Sequence, residues 1–252
     1  MKRFLMLTAA FLLALALVTG CSKPQTVPAV IEPIAESTAI SDAETIPPET
    51  EGNADAAVYS RQMERYYTAL SQQWDEGAYW DHEMSALAAY YYAGTPLENV
   101  GFAFMDLDGN GIRELLIGAI LGSDRDPLVF EIWTVRNGEP AMLAQSGSHN
   151  RYYLQYAQED DLWSVAYEAE NGAANHAVYY LQLADGEFQV MQGIVFDAIA
   201  SEQDPWFMAY DLDWDVSNDT PIDADTATDV MTAGRILYTA QDYVPYSQFH
   251  GI

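Results

Sequence analysis

The spacing of apolar residues after residue 55 predicts two helices at the start of the folded region. Over residues 56–74 the apolar side chains recur every three or four positions, which is the period of an amphipathic helix. A second helix is predicted over residues 82–92, with Asp81 as its N-cap and with Gly94 and Pro96 beyond its end. These two segments predict an N-terminal helical hairpin.

After Pro96 the pattern changes to short apolar or alternating segments separated by turn signals. Asn137-Gly138 and Asp185-Gly186 are dipeptides that favour the tight turns of β-hairpins, and Asn171-Gly172 marks a further connection. The predicted strands cover residues 101–105, 112–120, 129–136, 152–156, 162–168, 178–184, 187–196 and 206–211.

A last helix is predicted over residues 223–241, with Asp223 as its N-cap. Successive hairpins with helices at both ends predict an α+β fold. Its parts are an antiparallel β meander, the N-terminal helical hairpin and a C-terminal helix. A β-rich barrel with helical ends is the alternative.

The first twenty residues have the pattern of a signal peptide. Lys2 and Arg3 precede an apolar run of about fifteen residues, which is shorter than the roughly twenty that a membrane-spanning helix needs. The run ends in Val18-Thr19-Gly20-Cys21, which resembles the lipobox of bacterial lipoproteins. The resemblance implies cleavage before Cys21, acylation of its thiol and a membrane anchor on the extracytoplasmic face. The alternative is an ordinary secretory signal followed by a chance cysteine.

Residues 21–55 have the composition of a disordered tether. From residue 22 onward they contain five prolines and seven acids against one base, Lys23, and no aromatic residue. Such a segment buries too little apolar surface to offset its ordering entropy. We therefore expect a single folded domain over residues 56–252. Cys21 is the only cysteine, so this domain has no internal disulfide bond.

The charge of the chain limits its possible partners. The formal net charge is −28, and removal of Lys2 and Arg3 leaves 8 bases against 38 acids, a charge of −30. Nucleic acid and anionic lipid should be repelled, so we expect contact with the membrane through the lipid anchor only. The 17 Tyr and 6 Trp indicate an aromatic core, or an aromatic surface for a glycan or protein ligand.

The segment 102–118 carries the motif with the clearest chemistry. Calcium prefers six to eight oxygen ligands, which a short loop can supply from alternate positions. Gly111, at loop position 6, permits the sharp turn that wraps the loop around an ion. The candidate ligands at positions 1, 3, 5, 7 and 9 are Asp106, Asp108, Asn110, the carbonyl of Ile112, and Glu114.

This loop resembles the strand–loop–strand calcium loops of integrin-type propeller repeats. It also resembles the single-copy Asp-x-Asp-Gly-x-Gly segments of surface lipoproteins from Gram-positive bacteria. Position 12 is Ile117, where an EF-hand has a bidentate glutamate. The sequence has one clean copy, and a propeller needs several. The resemblance implies one structural Ca²⁺ site, and an acidic turn without metal is the alternative.

A second acidic run matches positions 1, 3, 5 and 9 of the same pattern. Val216 stands at position 6, where the turn requires glycine, so we expect these side chains on the solvent side of an edge strand; a second cation site is the alternative. The run consists of Asp211, Asp213, Asp215 and Asp219.

No catalytic constellation is present in the sequence. There is no Gly-x-Ser-x-Gly elbow, and His82-Glu83 lacks the second histidine of a zinc-protease motif. His149 is expected to be a solvated loop histidine. The expected function is therefore a non-enzymatic surface module with a calcium clip. A glycan-directed cell-envelope hydrolase with an unidentified carboxylate pair is the alternative.

Replacement of Cys21→Ser should abolish lipidation, because serine has no thiol to acylate. We expect the variant protein to be released from membranes and to leave the detergent phase in a detergent-partitioning assay. A Cys21→Ser protein that still partitions with detergent like the wild type would contradict the lipobox interpretation.

Overall fold

The computed structural model describes residues 51–91, 93–120, 127–158 and 162–251. The predicted signal peptide, the lipidation site at Cys21 and most of the predicted tether lie outside these ranges. All described residues belong to one compact unit, Ile46–Ile252. Within the described ranges, no helix is long and apolar enough to cross a bilayer.

One large antiparallel sheet dominates the described part of the chain. Its eleven described strands follow the order β10-β9-β8-β7-β6-β5-β3-β2-β1-β11, and β4 pairs with β3 beside this path. The strands are β1 Val100–Met105, β2 Glu114–Ala119, β3 Leu128–Arg136, β4 Glu139–Gln145, β5 Asn150–Ala157, β6 Leu162–Glu170, β7 Asn175–Ala184, β8 Glu187–Asp197, β9 Trp206–Ala209, β10 Thr220–Ile222 and β11 Val244–Pro245.

The helices are short, and most of them precede the sheet in the sequence. With the antiparallel sheet they give the α+β class that the sequence predicts. The helices are α1 Glu51–Val58, α2 Ser60–Gln72, α3 Glu76–Asp81, α4 Pro96–Asn99 and α5 Ala224–Ile236, with 3₁₀ helices at Ala86–Tyr91, Val216–Asn218 and Tyr246–Gln248.

The prediction of a helix over residues 82–92 is wrong. Asp81 is the last residue of α3 and not an N-cap; the cap of α3 is Asp75, whose carboxylate accepts a hydrogen bond from Ala78 N (2.9 Å). Glu83 adopts a left-handed conformation (φ 53°), and the bond from Met84 N to Tyr79 O (2.9 Å) closes the end of α3. This C-terminal turn ends the helix before the predicted one could begin.

Several other boundaries differ from the prediction. The predicted helix over 56–74 is divided at Tyr59 into α1 and α2. α5 follows Asp223, whose side chain accepts from Thr226 N (2.6 Å), and it ends at Ile236, before the predicted end at residue 241. β4 was not predicted as a strand. It lies between β3 and β5 in the sequence, but in the sheet β3 pairs with both β4 and β5.

The sheet buries apolar side chains on both of its faces. Leu115 and Ile117 of β2 belong to one buried cluster, and Leu116 between them belongs to the other. Because neighbouring side chains of a strand point to opposite faces, this explains the unbroken apolar run in β2. The first cluster includes Met63, Tyr66 and other buried residues of α2, so the helical segment covers this face.

Aromatic residues pack in a row across three neighbouring strands. Tyr152 of β5 stacks on Tyr167 of β6 at 4.6 Å between ring centroids, and Tyr167 stacks on Tyr179 of β7 at 6.0 Å. Gly193 lies opposite Tyr179 on β8, and a Cβ there would lie only 2.4 Å from the tyrosine ring. Three of the 17 tyrosines therefore serve cross-strand packing.

Glu131 of β3 links the segment after α3 to the sheet from inside the protein. Its side chain is only 2% exposed. One carboxylate oxygen accepts from Ser85 N (2.8 Å) and Gln145 Nε2 (3.3 Å), and the other accepts from Trp133 Nε1 (2.8 Å). Burial raises the pKa of Glu131, and the hydrogen bonds that it accepts oppose this rise.

Replacement of Glu131→Ala should lower the free energy of unfolding by about 2–4 kcal/mol, because it leaves buried N–H donors without an acceptor.

The milder Glu131→Gln variant tests the effect of the carboxylate charge on stability. Because the pKa of the folded carboxyl is raised above its ordinary value of 4.5, the folded state keeps this proton to a higher pH than the unfolded state does. The wild type should therefore lose stability relative to Glu131→Gln as pH rises from that value through the raised folded pKa. Urea denaturation between about pH 4 and 8 measures this difference, and parallel curves would contradict it.

Candidate metal site

The candidate metal loop connects β1 to β2 in a hairpin. Met105 and Glu114 form the last paired positions of the two strands, and residues 106–113 form the turn. Gly109 and Gly111 have positive φ values of 74° and 84°, a conformation that strains any residue with a Cβ. Gly111 therefore has the conformation that the predicted turn requires, and Gly109, the first glycine of the Asp-x-Asp-Gly-x-Gly segment, has it too.

Two aspartates hold the loop backbone in its curved form. The carboxylate of Asp106 accepts from Asn110 N (3.1 Å) and from Gly111 N (2.9 Å). Asp108 accepts from Asn110 N (3.2 Å) and from the side-chain amide of Asn110 (3.0 Å). These bonds turn the carboxylates of both aspartates toward the inside of the loop.

Glu114 closes the loop from within the protein. As the first residue of β2 its side chain is fully buried, with 0% exposure. One carboxylate oxygen accepts from Leu107 N (3.0 Å) and the other from the Thr134 hydroxyl (2.9 Å). Burial raises the pKa of Glu114; the bonds from Leu107 and Thr134 oppose the rise, and the neighbouring Asp108 adds to it.

The structure brings three of the five predicted ligands together. Asp106, Asp108 and Glu114 each offer a carboxylate oxygen, and these oxygens lie within 4.8 Å of one another. Two ligands of one calcium ion, each at 2.3–2.6 Å from it, can be at most about 5.2 Å apart. The spacing is therefore compatible with a shared calcium ion.

Of the other two predicted ligands, the side-chain oxygen of Asn110 takes part in a hydrogen bond of the loop itself. The side-chain oxygen of Asn110 accepts from Ile112 N at 2.6 Å. The side chain of Ile112 is 41% exposed, and the strand predicted to start there begins at Glu114 instead. Participation of the Asn110 side chain and the Ile112 carbonyl in metal binding stays a prediction.

The cluster carries three acids, and no ion pair between described residues involves any of them. The adjacent cation, Arg113, forms an ion pair with Asp55. Because like charges repel, three carboxylates this close favour a bound cation or a shared proton.

Long-range contacts fix the loop to the rest of the fold. Leu107, between two candidate ligands, is 4% exposed and packs in the second buried cluster with Leu116 and Leu183. On the helical side, the Tyr59 hydroxyl donates to Arg113 O at 2.9 Å. Both faces of the sheet therefore contribute to the position of the loop. The sequence analysis missed Leu107 and Thr134, since neither fits a ligand pattern.

The second acidic run lies between β9 and β10 and not on an edge strand, which corrects the expectation from the sequence. Asp213 accepts from Asp215 N (2.9 Å), and Asp215 caps a 3₁₀ helix through Ser217 N (3.1 Å). Burial raises the pKa of Asp219, as do Asp211, Asp213 and Asp215 nearby. Asp213 and Asp215 therefore serve as turn and cap residues. His149 lies exposed in the turn between β4 and β5, in agreement with a solvated loop histidine.

Comparisons with protein-family models, with curated proteins and with solved structures give no match for this chain. The function must therefore be inferred from the molecule itself.

Proposed function

We propose that this chain is an extracytoplasmic lipoprotein, anchored at Cys21, whose folded part is a non-enzymatic binding module with one structural calcium ion. The ligands are Asp106, Asp108, Asn110, Glu114 and the carbonyl of Ile112. The lipid anchor is the only contact with the membrane. The partner is a surface glycan or a protein, consistent with the strong negative charge, which disfavours nucleic acid.

The observation that carries the calcium proposal is the position of Glu114. A fully buried carboxylate is costly unless a positive charge or several donors compensate it. Here one backbone N–H and one hydroxyl donate to Glu114. Two more carboxylates, those of Asp106 and Asp108, each have an oxygen within 4.8 Å of a Glu114 oxygen. A divalent cation with oxygen ligands would offset this charge, and calcium accepts such an irregular oxygen set more readily than magnesium.

The surroundings of the loop support a structural role for the ion. All candidate ligands come from one hairpin turn, so an ion would connect the end of β1 to the start of β2. Leu107 packs into the core directly between two of them. A catalytic metal needs an open coordination position beside a substrate, and a loop held in this way is suited to fixing the hairpin instead.

The finer architecture is part of the same proposal. We propose that α2 and α3, on either side of Gln73–Asp75, form a helical hairpin in place of the predicted pair over 56–74 and 82–92, and that α5 is the C-terminal helix. The hydrogen bond between Trp74 N and Ala69 O (3.0 Å) at the end of α2 supports a compact turn between the first two helices.

Removal of calcium should destabilise the protein. At a free calcium concentration a hundredfold above Kd, binding adds about 2.7 kcal/mol to the free energy of unfolding. For a folded region of this size that corresponds to about 5–10 °C in Tm. We expect excess chelator to lower Tm by this amount, and magnesium to restore it poorly. Differential scanning calorimetry of metal-free and calcium-loaded protein measures the shift.

Asp108→Asn should remove the calcium dependence of Tm, because it takes one charged ligand from the loop. The matched control is Asp211→Asn, which changes an exposed acid in the second acidic run and should leave the calcium shift intact. An identical Tm for metal-free and calcium-loaded wild type would contradict the calcium proposal and would indicate an acidic turn without metal.

A further inference from the structure

A cleft of about 490 Å³ lies between α2 and the turn that follows α3, away from the residues of the calcium loop. Its volume falls in the range of about 300–1,000 Å³ that is usual for small-molecule sites. Side chains of both charge signs line it, together with one aromatic pair. None of the proposed calcium ligands lies among these residues.

One wall of the cleft carries two arginines, and Glu64 of the same helix also lines the cleft beside them. Arg61 and Arg65 are four residues apart on α2, so they lie on the same side of the helix. Arg113, Arg136 and Arg235 each form an ion pair with a carboxylate. Among the described residues, neither Arg61 nor Arg65 does so, although the chain contains 38 acids. Two neighbouring guanidinium groups are thus left available to an external anion.

The opposite wall carries carboxylates on a fixed backbone. Glu83 has a positive φ of 53° at a helix C-terminus, where glycine is usual. Its carbonyl accepts from the side chain of Gln145 (2.9 Å), and Ser85 N two residues later bonds to Glu131. The wall is therefore anchored to the sheet. Asp81 lies next to it on the same side of the cleft.

Trp74 and His82 give the cleft an aromatic surface. Their rings stack at 4.4 Å between centroids with an interplanar angle of 24°. The indole N–H donates to the side chain of Gln72 at 3.0 Å, which fixes the orientation of the ring. Such a pair offers an apolar contact to the uncharged part of a ligand.

We propose that this cleft binds a small zwitterion, an amino acid or a short peptide, with its carboxylate on Arg61 and Arg65 and its ammonium group on Asp81 and Glu83. The net charge of −28 repels a simple anion, and the two arginines repel a simple cation. A ligand with both groups satisfies both walls. This inference rests on the proposed role as a binding module and adds a small ligand to the surface glycan or protein partner proposed above.

Isothermal titration calorimetry on the full chain in detergent, with calcium present, tests this assignment with three probes. They are the dipeptide alanyl-alanine, its N-acetylated form, which keeps only the carboxylate, and its C-terminal amide, which keeps only the ammonium group. We expect the free dipeptide to bind at least about tenfold more tightly than either blocked form, because each blocked form loses one charge-assisted contact.

Two variants locate the binding. Arg65→Gln and Glu83→Gln should each weaken binding of the free dipeptide by about tenfold or more, with little change in Tm. Arg151→Gln is the matched control: this arginine on β5 also lacks an ion pair among the described residues, lies outside the cleft, and should bind like the wild type.

Equal binding of the acetylated dipeptide would identify a plain anion site, and absence of heat with all three probes would identify a solvated surface; either result overturns the assignment. The experiments distinguish failure of the calcium proposal from failure of the zwitterion proposal. A chain without a calcium-dependent Tm that still binds the free dipeptide contradicts only the metal site, and the reverse result contradicts only the zwitterion site.

Discussion

The need to bury carboxylates with almost no positive charge available shapes this protein. The chain has 38 acids and 10 bases, and the described part contains no lysine. Glu114 and Glu131 nevertheless lie on central strands with almost no exposure. Glu131 is compensated by N–H donors from three sequence segments, which connects the turn after α3 to β3 and β4. Glu114 has fewer donors and two acids beside it, and we propose that a calcium ion compensates its negative charge.

Eight of the eleven described strands could be predicted from the sequence because their signals are local, whereas β4, β10 and β11 were not predicted. Asn137-Gly138 and Asp185-Gly186 adopt the positive φ values that tight hairpin turns require, as predicted. The helix over 82–92 could not be excluded locally. Its apolar residues have helical spacing, but the backbone there is fixed by the left-handed Glu83 and by Ser85 N, which bonds to Glu131 46 positions away in the sequence.

The candidate site likewise has one part that could be predicted from the sequence and another that could not. All proposed calcium ligands fall within nine consecutive residues, so the spacing of acids and the position of Gly111 were sufficient to propose them. Their support was not visible in the sequence: Thr134 meets Glu114 from twenty residues away, and Leu107 enters a core assembled from distant strands. The cleft beside Arg61 is likewise a product of tertiary structure, because its walls come from α2 and the turn after α3.

The most direct test of the account is the amount of calcium bound at equilibrium, measured by dialysis against radioactive calcium. We expect one calcium ion per chain for the wild type and a large loss of calcium binding in Glu114→Gln. This replacement keeps the size of the side chain and removes its charge. A wild-type chain that binds no calcium, or a Glu114→Gln chain that binds one ion as tightly as the wild type, would contradict it.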